Sequence, residues 1–208
     1  MARSPKRTQD AFGQRARAEG YPARSVYKLD EIDRRLKLLR QGQRVLDLGA
    51  YPGSWTLYAA QQVGRRGQVI GIDIQPFEGP LPPHAEIRHA DMLTLDPATL
   101  GGRASFDVVL SDMAPATTGH RSVDQYRSFE LFMRAAEVAN GLLKPGGAFV
   151  GKIFQGGDFP QAKKAIQQAF TSVRIIKPEA SRTESYEIFL AGLGFKGAPA
   201  APMDKDSE

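Results

Sequence analysis

A chain of 208 residues can build one α/β domain with a full core, but not two large domains. Its 41% hydrophobic and 25% charged residues are ordinary for a globular fold, no apolar run approaches the roughly 18 residues of a membrane span, and the absence of cysteine excludes disulfides, thiolate zinc sites and any cysteine nucleophile. The net charge of +5 is unevenly spread: residues 1–40 hold eleven Lys or Arg against five acids, leaving the remainder near neutral.

A basic block joined to a near-neutral remainder is the footprint of a polyanion-binding surface, although charge alone equally allows a solvated arm. The start, with Arg3, Lys6 and Arg7, has no apolar stretch behind it, which reads against a secretory signal and for a cytoplasmic protein. Thr8 to Glu19 reads as a short helix capped by Thr8 and broken by Gly20-Tyr21-Pro22. Ser25 is placed to cap a second helix, whose apolar stripe is Val26, Leu29, Ile32 and Leu36, with Lys28 beside that stripe. From Arg44 strands and helices alternate. Strands are expected at Val45–Leu48, Val69–Asp73, Ile87–Ala90, Phe106–Leu110, Ala148–Phe154, Val173–Ile176 and Ile188–Leu190. Helices are expected at Ser54–Val63, Asp124–Leu143 and Gln161–Phe170, the long one stopped by Lys144-Pro145-Gly146-Gly147.

Continuous apolar strands separated by helices predict an α/β fold: a mainly parallel seven-stranded sheet with helices on both faces. Residues 1–40 read as a basic helical arm of the same domain, 41–197 as the α/β domain and 198–208, rich in Ala, Pro and charge, as a disordered tail. In such sheets ligands bind beyond the carboxyl ends of the strands.

The segment Asp47-Leu48-Gly49-Ala50-Tyr51-Pro52-Gly53-Ser54-Trp55 leaves a strand and opens a helix. Its glycines let a backbone approach a ligand closely. Asp73, at the end of the next strand, is placed to bind two ribose hydroxyls, which would also fit NAD. The turn, however, is Gly-x-x-x-Gly and lacks the close glycine pair that receives a pyrophosphate. A cofactor with ribose and adenine but no phosphates fits better, namely S-adenosylmethionine. Asp91, after the third strand, is placed to accept from an adenine amino group, with Met92 packing on the ring. Taken singly, Asp47, Asp73 and Asp91 are as well explained as turn or helix caps; three acids at successive strand ends beside a glycine turn favour a ligand site.

Ser111-Asp112-Met113-Ala114-Pro115 stands where amino-group methylases of bases carry an Asp/Asn-Pro-Pro-aromatic segment, but it has no aromatic, so its carboxylate points to a different acceptor. Lys152 interrupts an apolar strand, which is costly unless the amine is paired or reaches solvent at the strand end. Glu187 reads from its own surroundings as a surface residue. Two amines and two carboxylates, Lys28, Asp112, Lys152 and Glu187, would suit removal of a proton from a poor acid if they converge. His84, His89 and His120 have no metal-ligand spacing, and no metal is expected.

Arg24-Ser25-x-Tyr27-Lys28-Leu29, Asp47-Leu48-Gly49-Ala50-x-Pro52-Gly53-x-Trp55, Ser111-Asp112-Met113-Ala114-Pro115 and Lys152-Ile153-Phe154-Gln155-Gly156 resemble, in family order, the FtsJ/RrmJ (RlmE-type) ribosomal RNA 2′-O-methyltransferases. The similarity runs from about Arg7 to Lys196. It implies a Rossmann-like methyltransferase fold over 41–197. It also implies a catalytic tetrad of Lys28, Asp112, Lys152 and Glu187, and S-adenosylmethionine contacts at Gly53, Trp55, Asp73, Asp91 and Asp112. The implied target is a uridine ribose of large-subunit rRNA. Lys152 then either takes the hydroxyl proton or, charged, steers and polarises the hydroxyl; a neighbouring Lys28 favours the first and the two carboxylates the second. Arg15, Arg17, Arg24, Arg34 and Arg35 would meet phosphates, and Tyr21 or Tyr27 would stack a base. Tyr51 and Ser54 depart from the family's small residues: Tyr51 would crowd the cofactor or the RNA entrance, whereas Ser54 would serve as a helix N-cap. The enzyme is expected to be monomeric and unattached to membranes. A tRNA or mRNA-cap 2′-O-methylase, a non-catalytic RNA-binding protein and, more distantly, a NAD oxidoreductase are the rival readings.

Overall fold

The structure, a computed structural model, describes residues 5–181 and 185–197. The expected tail at 198–208 lies outside the described residues. The elements in chain order are α1 (Pro5–Ala18), α2 (Val26–Leu36), β1 (Arg44–Leu48), α3 (Ser54–Val63), β2 (Gln68–Asp73), β3 (Ala85–His89), β4 (Phe106–Ser111), α4 (Arg121–Leu142), β5 (Leu143–Phe154), α5 (Phe159–Ala169), β6 (Phe170–Ile176) and β7 (Glu187–Phe195), with a short 3₁₀ turn at Pro97–Leu100. The strands form one sheet in the order β3-β2-β1-β4-β5-β7-β6. Pairing is parallel from β3 through β5; β7 inserts between β5 and β6 and runs against both.

Side chains of successive strand residues point to opposite faces, and two cores follow from that period of two. Leu46, Leu48, Ile70, Ile72, Val109, Phe149 and Ile153 join Phe132, Ala135 and Ala139 of α4 and Ala162 and Ile166 of α5 in one cluster. Val45, Val69, Val108, Leu110, Val150 and Phe189 join Leu29 and Ile32 of α2 and Trp55, Ala59 and Val63 of α3 in the other. The basic arm is therefore built into the domain by the apolar stripe of α2, with Leu29 and Ile32 fully buried.

Several element ends differ from the sequence expectation for identifiable reasons. The first helix begins at Pro5, not Thr8; proline suits a first helical turn because its fixed φ is already helical. Ser25 stands at the N-terminal boundary of α2 but makes no side-chain cap; its carbonyl instead accepts from the indole Nε1 of Trp55 at 2.8 Å. α4 ends at Leu142, and the Lys144-Pro145-Gly146-Gly147 run lies inside β5, which the chain enters directly at Leu143; a register shift between Phe106 and Val108 of the facing strand accompanies it. The last strand starts at Glu187 and runs to Phe195, longer than expected, because it has hydrogen-bonding partners along both edges.

From β1 the chain steps outward to β2 and β3, then crosses back to place β4 on the other side of β1. This reversal opens a crevice beyond the carboxyl ends of β1 and β4, the general ligand position in an open α/β sheet.

Candidate active site

A cavity of about 320 Å³ occupies that crevice. Its wall is made by Gly49 and Tyr51 after β1, residues 72–75 at the end of β2, residues 90–93 after β3, residues 112–114 after β4 and Leu131 of α4. Gly49 has φ +79°, and a Cβ there would fall 2.7 Å from Cγ of Met113, so only glycine lets the two turns meet. Asp73, Asp91 and Asp112 line the wall, and among the described residues no Lys, Arg or His does.

Two of these acids also shape their own turns. Asp73 accepts from the backbone N–H of Tyr51 at 2.9 Å and of Gln75 at 2.8 Å. Asp91 accepts from Leu93 N at 2.9 Å. These bonds use one or two of a carboxylate's roughly four acceptor positions, so capping leaves further acceptor positions on both residues. Met92 is buried beside Asp91. The turn carrying both is held from behind by Arg134 of α4, whose guanidinium donates to Met92 O at 3.0 Å and Leu95 O at 2.7 Å. Nothing in the local sequence around Asp91 reveals that anchor, which lies on another element.

Asp47, the remaining acid of the series, is not at the cavity. It is fully buried, accepts from the Thr56 hydroxyl at 2.7 Å and leaves its other oxygen unpartnered. Burial pushes its carboxyl up to about 7, the Thr56 hydrogen bond opposes this, and Asp112 and Asp73 add to the rise.

The four charged residues singled out in the sequence converge. Lys152 Nζ lies 2.9 Å from Asp112 Oδ1 and donates to the Asp112 carbonyl; its side chain is 5% exposed. Lys28 Nζ lies 2.6 Å from Glu187 Oε1 and 3.9 Å from Asp112 Oδ1, over the Phe189 ring. Asp112 Oδ1 is therefore flanked by the Nζ atoms of two lysines. Each member arrives by a different route: Lys28 beside the buried stripe of α2, Asp112 just past β4, Lys152 opposite Phe189 in the β5–β7 ladder, and Glu187 at the first residue of β7. Glu187 is not a surface residue: it is 9% exposed and also accepts from the Ser181 hydroxyl at 3.0 Å. A buried carboxylate so close to an ammonium is tenable because the charges are paired.

Asp112 is shared by the cavity and the ion-pair cluster. Gly53 and Trp55 are not among the cavity-lining residues. Gly53 has φ +99° at the boundary of α3, where a Cβ would meet the Phe77 ring at 2.8 Å. Trp55 is buried, with its ring centroid 5.7 Å from that of Phe189. Ser54 is not an N-cap; its hydroxyl accepts from Ala23 N at 2.8 Å and donates to Ala23 O at 3.2 Å, fastening the arm to α3. Tyr51 is 47% exposed on the cavity wall.

In the arm, Arg15 pairs with Glu19 at 2.7 Å, Arg35 with Glu31 at 2.5 Å and Arg34 with Asp30. Tyr27 does not offer a free face: it is buried against Phe12, lies under Arg15 and donates its hydroxyl to Glu19 at 3.0 Å. Tyr21 is partly buried and donates to Gln61 at 2.5 Å.

No helix of the described residues is long and apolar enough to cross a membrane. Among the described residues no cluster of three or more His, Asp or Glu could hold a metal ion. His84 and His89 each place Nε2 against a backbone carbonyl, Ala60 O at 3.0 Å and Ile74 O at 2.9 Å.

A family model of FtsJ-like methyltransferases matches residues 21–195. The chain is 54% identical over 196 residues to "Ribosomal RNA large subunit methyltransferase E" of Sorangium cellulosum, covering 94% of this chain and 92% of that protein. It is 47% identical to the protein of the same name from Desulforapulum autotrophicum, covering 92% and 96%. The fold is similar to that of a Plasmodium falciparum protein described as a ribosomal RNA methyltransferase, with a TM-score of 0.73 at 24% identity, over 86% of this chain and all of that one.

Proposed function

Because this chain belongs to the FtsJ-like methyltransferase family, we propose that it transfers a methyl group from S-adenosylmethionine to the ribose 2′-hydroxyl of a uridine in large-subunit 23S rRNA. The observation that carries the reading is Asp112, which lies on the wall of the cofactor-sized cavity and pairs with Lys152 at 2.9 Å. A donor held in the cavity and an acceptor held at Lys152 would meet at that residue.

The cavity suits the cofactor chemically. Its charged lining is acidic, with carboxylates at Asp73, Asp91 and Asp112 and, among the described residues, no cation. Such a wall attracts a sulfonium and an ammonium and repels a pyrophosphate, which argues against NAD. Asp73 would take the ribose diol and Asp91 the adenine amino group, with Met92 against the ring. When bound, S-adenosylmethionine supplies an activated methyl group.

The residues of the chain then have an alignment and a proton to manage. An ammonium has three donors; in Lys152 one goes to the Asp112 carbonyl and another faces the Asp112 carboxylate, leaving one for the ribose hydroxyl. Lys28, braced by Glu187, holds Asp112 from the other side. As an amine Lys152 takes the hydroxyl proton, and as an ammonium it polarises the hydroxyl; a limb in the pH–rate profile that disappears in Lys152→Arg identifies the amine.

The test is methyl transfer to large ribosomal subunits followed by mass-spectrometric mapping of the methylated nucleotide. A 2′-O-methyluridine in 23S rRNA is expected, and Lys152→Ala should bind cofactor normally while losing turnover by about two orders of magnitude or more. Methylation of tRNA or an mRNA cap instead, or full turnover in Lys152→Ala, would contradict the assignment.

A further inference from the structure

Three residues at the rim of the ion-pair cluster belong to neither hydrophobic core. Tyr186 directly precedes Glu187, and Phe154 is the strand partner of Glu187 and lies two residues beyond Lys152. Their rings meet edge to face, with centroids 4.9 Å apart. Both are only partly buried, and neither is part of the two clusters that account for most of the buried apolar side chains. Arg121, the first residue of α4, lies over the Tyr186 ring at 5.2 Å. It is exposed, and among the described residues it has no ion pair or hydrogen bond to an acid.

This cluster is held in place rather than loosely draped. Gln125 of α4 donates to the Gln155 carbonyl at 2.5 Å, Ser128 accepts from Phe154 N at 2.9 Å, and Gln155 N donates to the Tyr186 carbonyl at 2.9 Å. These bonds fix the first turns of α4 against the ends of β5 and β7. A packing role alone would bury the rings fully or pair the guanidinium with an acid; the rings stay partly exposed, and among the described residues no acid pairs with Arg121.

We propose that Arg121, Tyr186 and Phe154 form a cradle for the nucleotide adjoining the reacting ribose, with Tyr186 stacking a base and Arg121 taking a phosphate. The inference rests on the RNA-methylation reading above. Its chemistry is that of single-strand recognition: an aromatic face serves any base, and a guanidinium pre-set over a ring reaches phosphate oxygens with little rotamer entropy to lose. Tyr186 is one residue from Glu187 and Phe154 two from Lys152, so a base seated there belongs to the immediate neighbour of the nucleotide being modified.

Binding and catalysis are to be read separately in Tyr186→Ala, Tyr186→Phe and Arg121→Gln. The readouts are S-adenosylmethionine titration, anisotropy of a short single-stranded oligoribonucleotide, and kcat and KM for methyl transfer to large ribosomal subunits. Stacking of ~1–3 kcal/mol corresponds to a roughly 5–150-fold loss. Tyr186→Ala is expected to weaken oligonucleotide binding and raise KM by a factor in that range, with cofactor affinity unchanged. Tyr186→Phe should restore what Tyr186→Ala loses, and Arg121→Gln should flatten the salt dependence of binding by about one unit of slope. The cradle is overturned if Tyr186→Ala binds the oligonucleotide as the parent does, or if its loss is confined to kcat, which would mean a displaced Glu187. If the parent protein methylates no ribosomal RNA, the function reading fails on that result alone, while the oligonucleotide titration still decides the cradle.

Discussion

At the scale of single residues, Lys152, Glu187 and Asp47 illustrate how a charge can be read from a sequence. Lys152 announces itself because an amine inside an apolar strand requires a partner, and Asp112 supplies one at 2.9 Å. Glu187 gives no such signal: its neighbours in sequence look like the start of an ordinary strand, and only the β5–β7 pairing and the approach of Lys28 bury it. Asp47 has the opposite history, being acidic and next to the glycine turn, yet it faces Thr56 in the interior rather than the cavity. Its carboxyl is pushed up to about 7, chiefly by burial, whereas an exposed or unfolded aspartate titrates near ~3.9. Between about pH 4 and pH 7 the folded state therefore holds a proton that the unfolded state has released, so this residue's contribution to stability falls as pH rises through that window. The neutral Asp47→Asn variant retains an acceptor for Thr56 and should be more stable than the parent at pH 8, by up to ~1.4 kcal/mol per pH unit of the window. The difference should vanish near pH 4. Urea midpoints measured across this range check the sign; parallel curves for parent and variant would mean that Asp47 is ionised in the folded protein throughout.

Among elements, the turn after β3 shows what a local reading misses. The strand–acid pattern places Asp91 and Met92, and Met92 is buried in the core, but the pattern says nothing of what holds the carbonyls of this turn, where Leu93 is 56% exposed. Arg134 supplies the missing constraint from α4, donating to the carbonyls of Met92 and Leu95 across forty positions of chain. Its neighbour Glu137 at 2.8 Å keeps the guanidinium in place. Replacing Arg134 with Met keeps the aliphatic stem but leaves two carbonyls to water and the turn free to move. Isothermal titration of S-adenosylmethionine into Arg134→Met should give an affinity ~5- to 50-fold weaker, as expected for loss of one or two charge-assisted hydrogen bonds. Unchanged affinity would show that the turn is held by β3 alone. The same lesson applies to Ser54, expected to cap α3 but spent on Ala23 instead: a serine before a helix announces a hydrogen bond, not the partner that wins it.

For the molecule as a whole, the excess charge of residues 1–40 does not act as a uniform basic patch. Arg15, Arg34 and Arg35 each face an acid one helical turn away, so the part of the arm packed on the domain is internally compensated. Exposed pairs of this kind are worth only ~0.2–1 kcal/mol, and a phosphate can compete for the arginine. Glu19→Gln retains an acceptor for Tyr27 while freeing Arg15, and is expected to strengthen RNA binding and steepen its salt dependence by up to about one unit of slope. Filter binding at several salt concentrations reads this; a slope identical to the parent's would take Arg15 out of the RNA interface. By itself the sequence determined the order of strands and helices, the glycine turn at Gly49 and the strand-end acids Asp73, Asp91 and Asp112, because hydrophobic period and turn chemistry are local properties. The tertiary structure alone decided that β7 runs antiparallel between β5 and β6, that Asp47 turns inward, that Glu187 is buried against Lys28, and that Arg121 and Tyr186 meet at the rim. Those outcomes depend on contacts between segments up to about 160 residues apart (Lys28 and Glu187), which are set by sheet order and core packing and leave no periodic trace in the segments themselves.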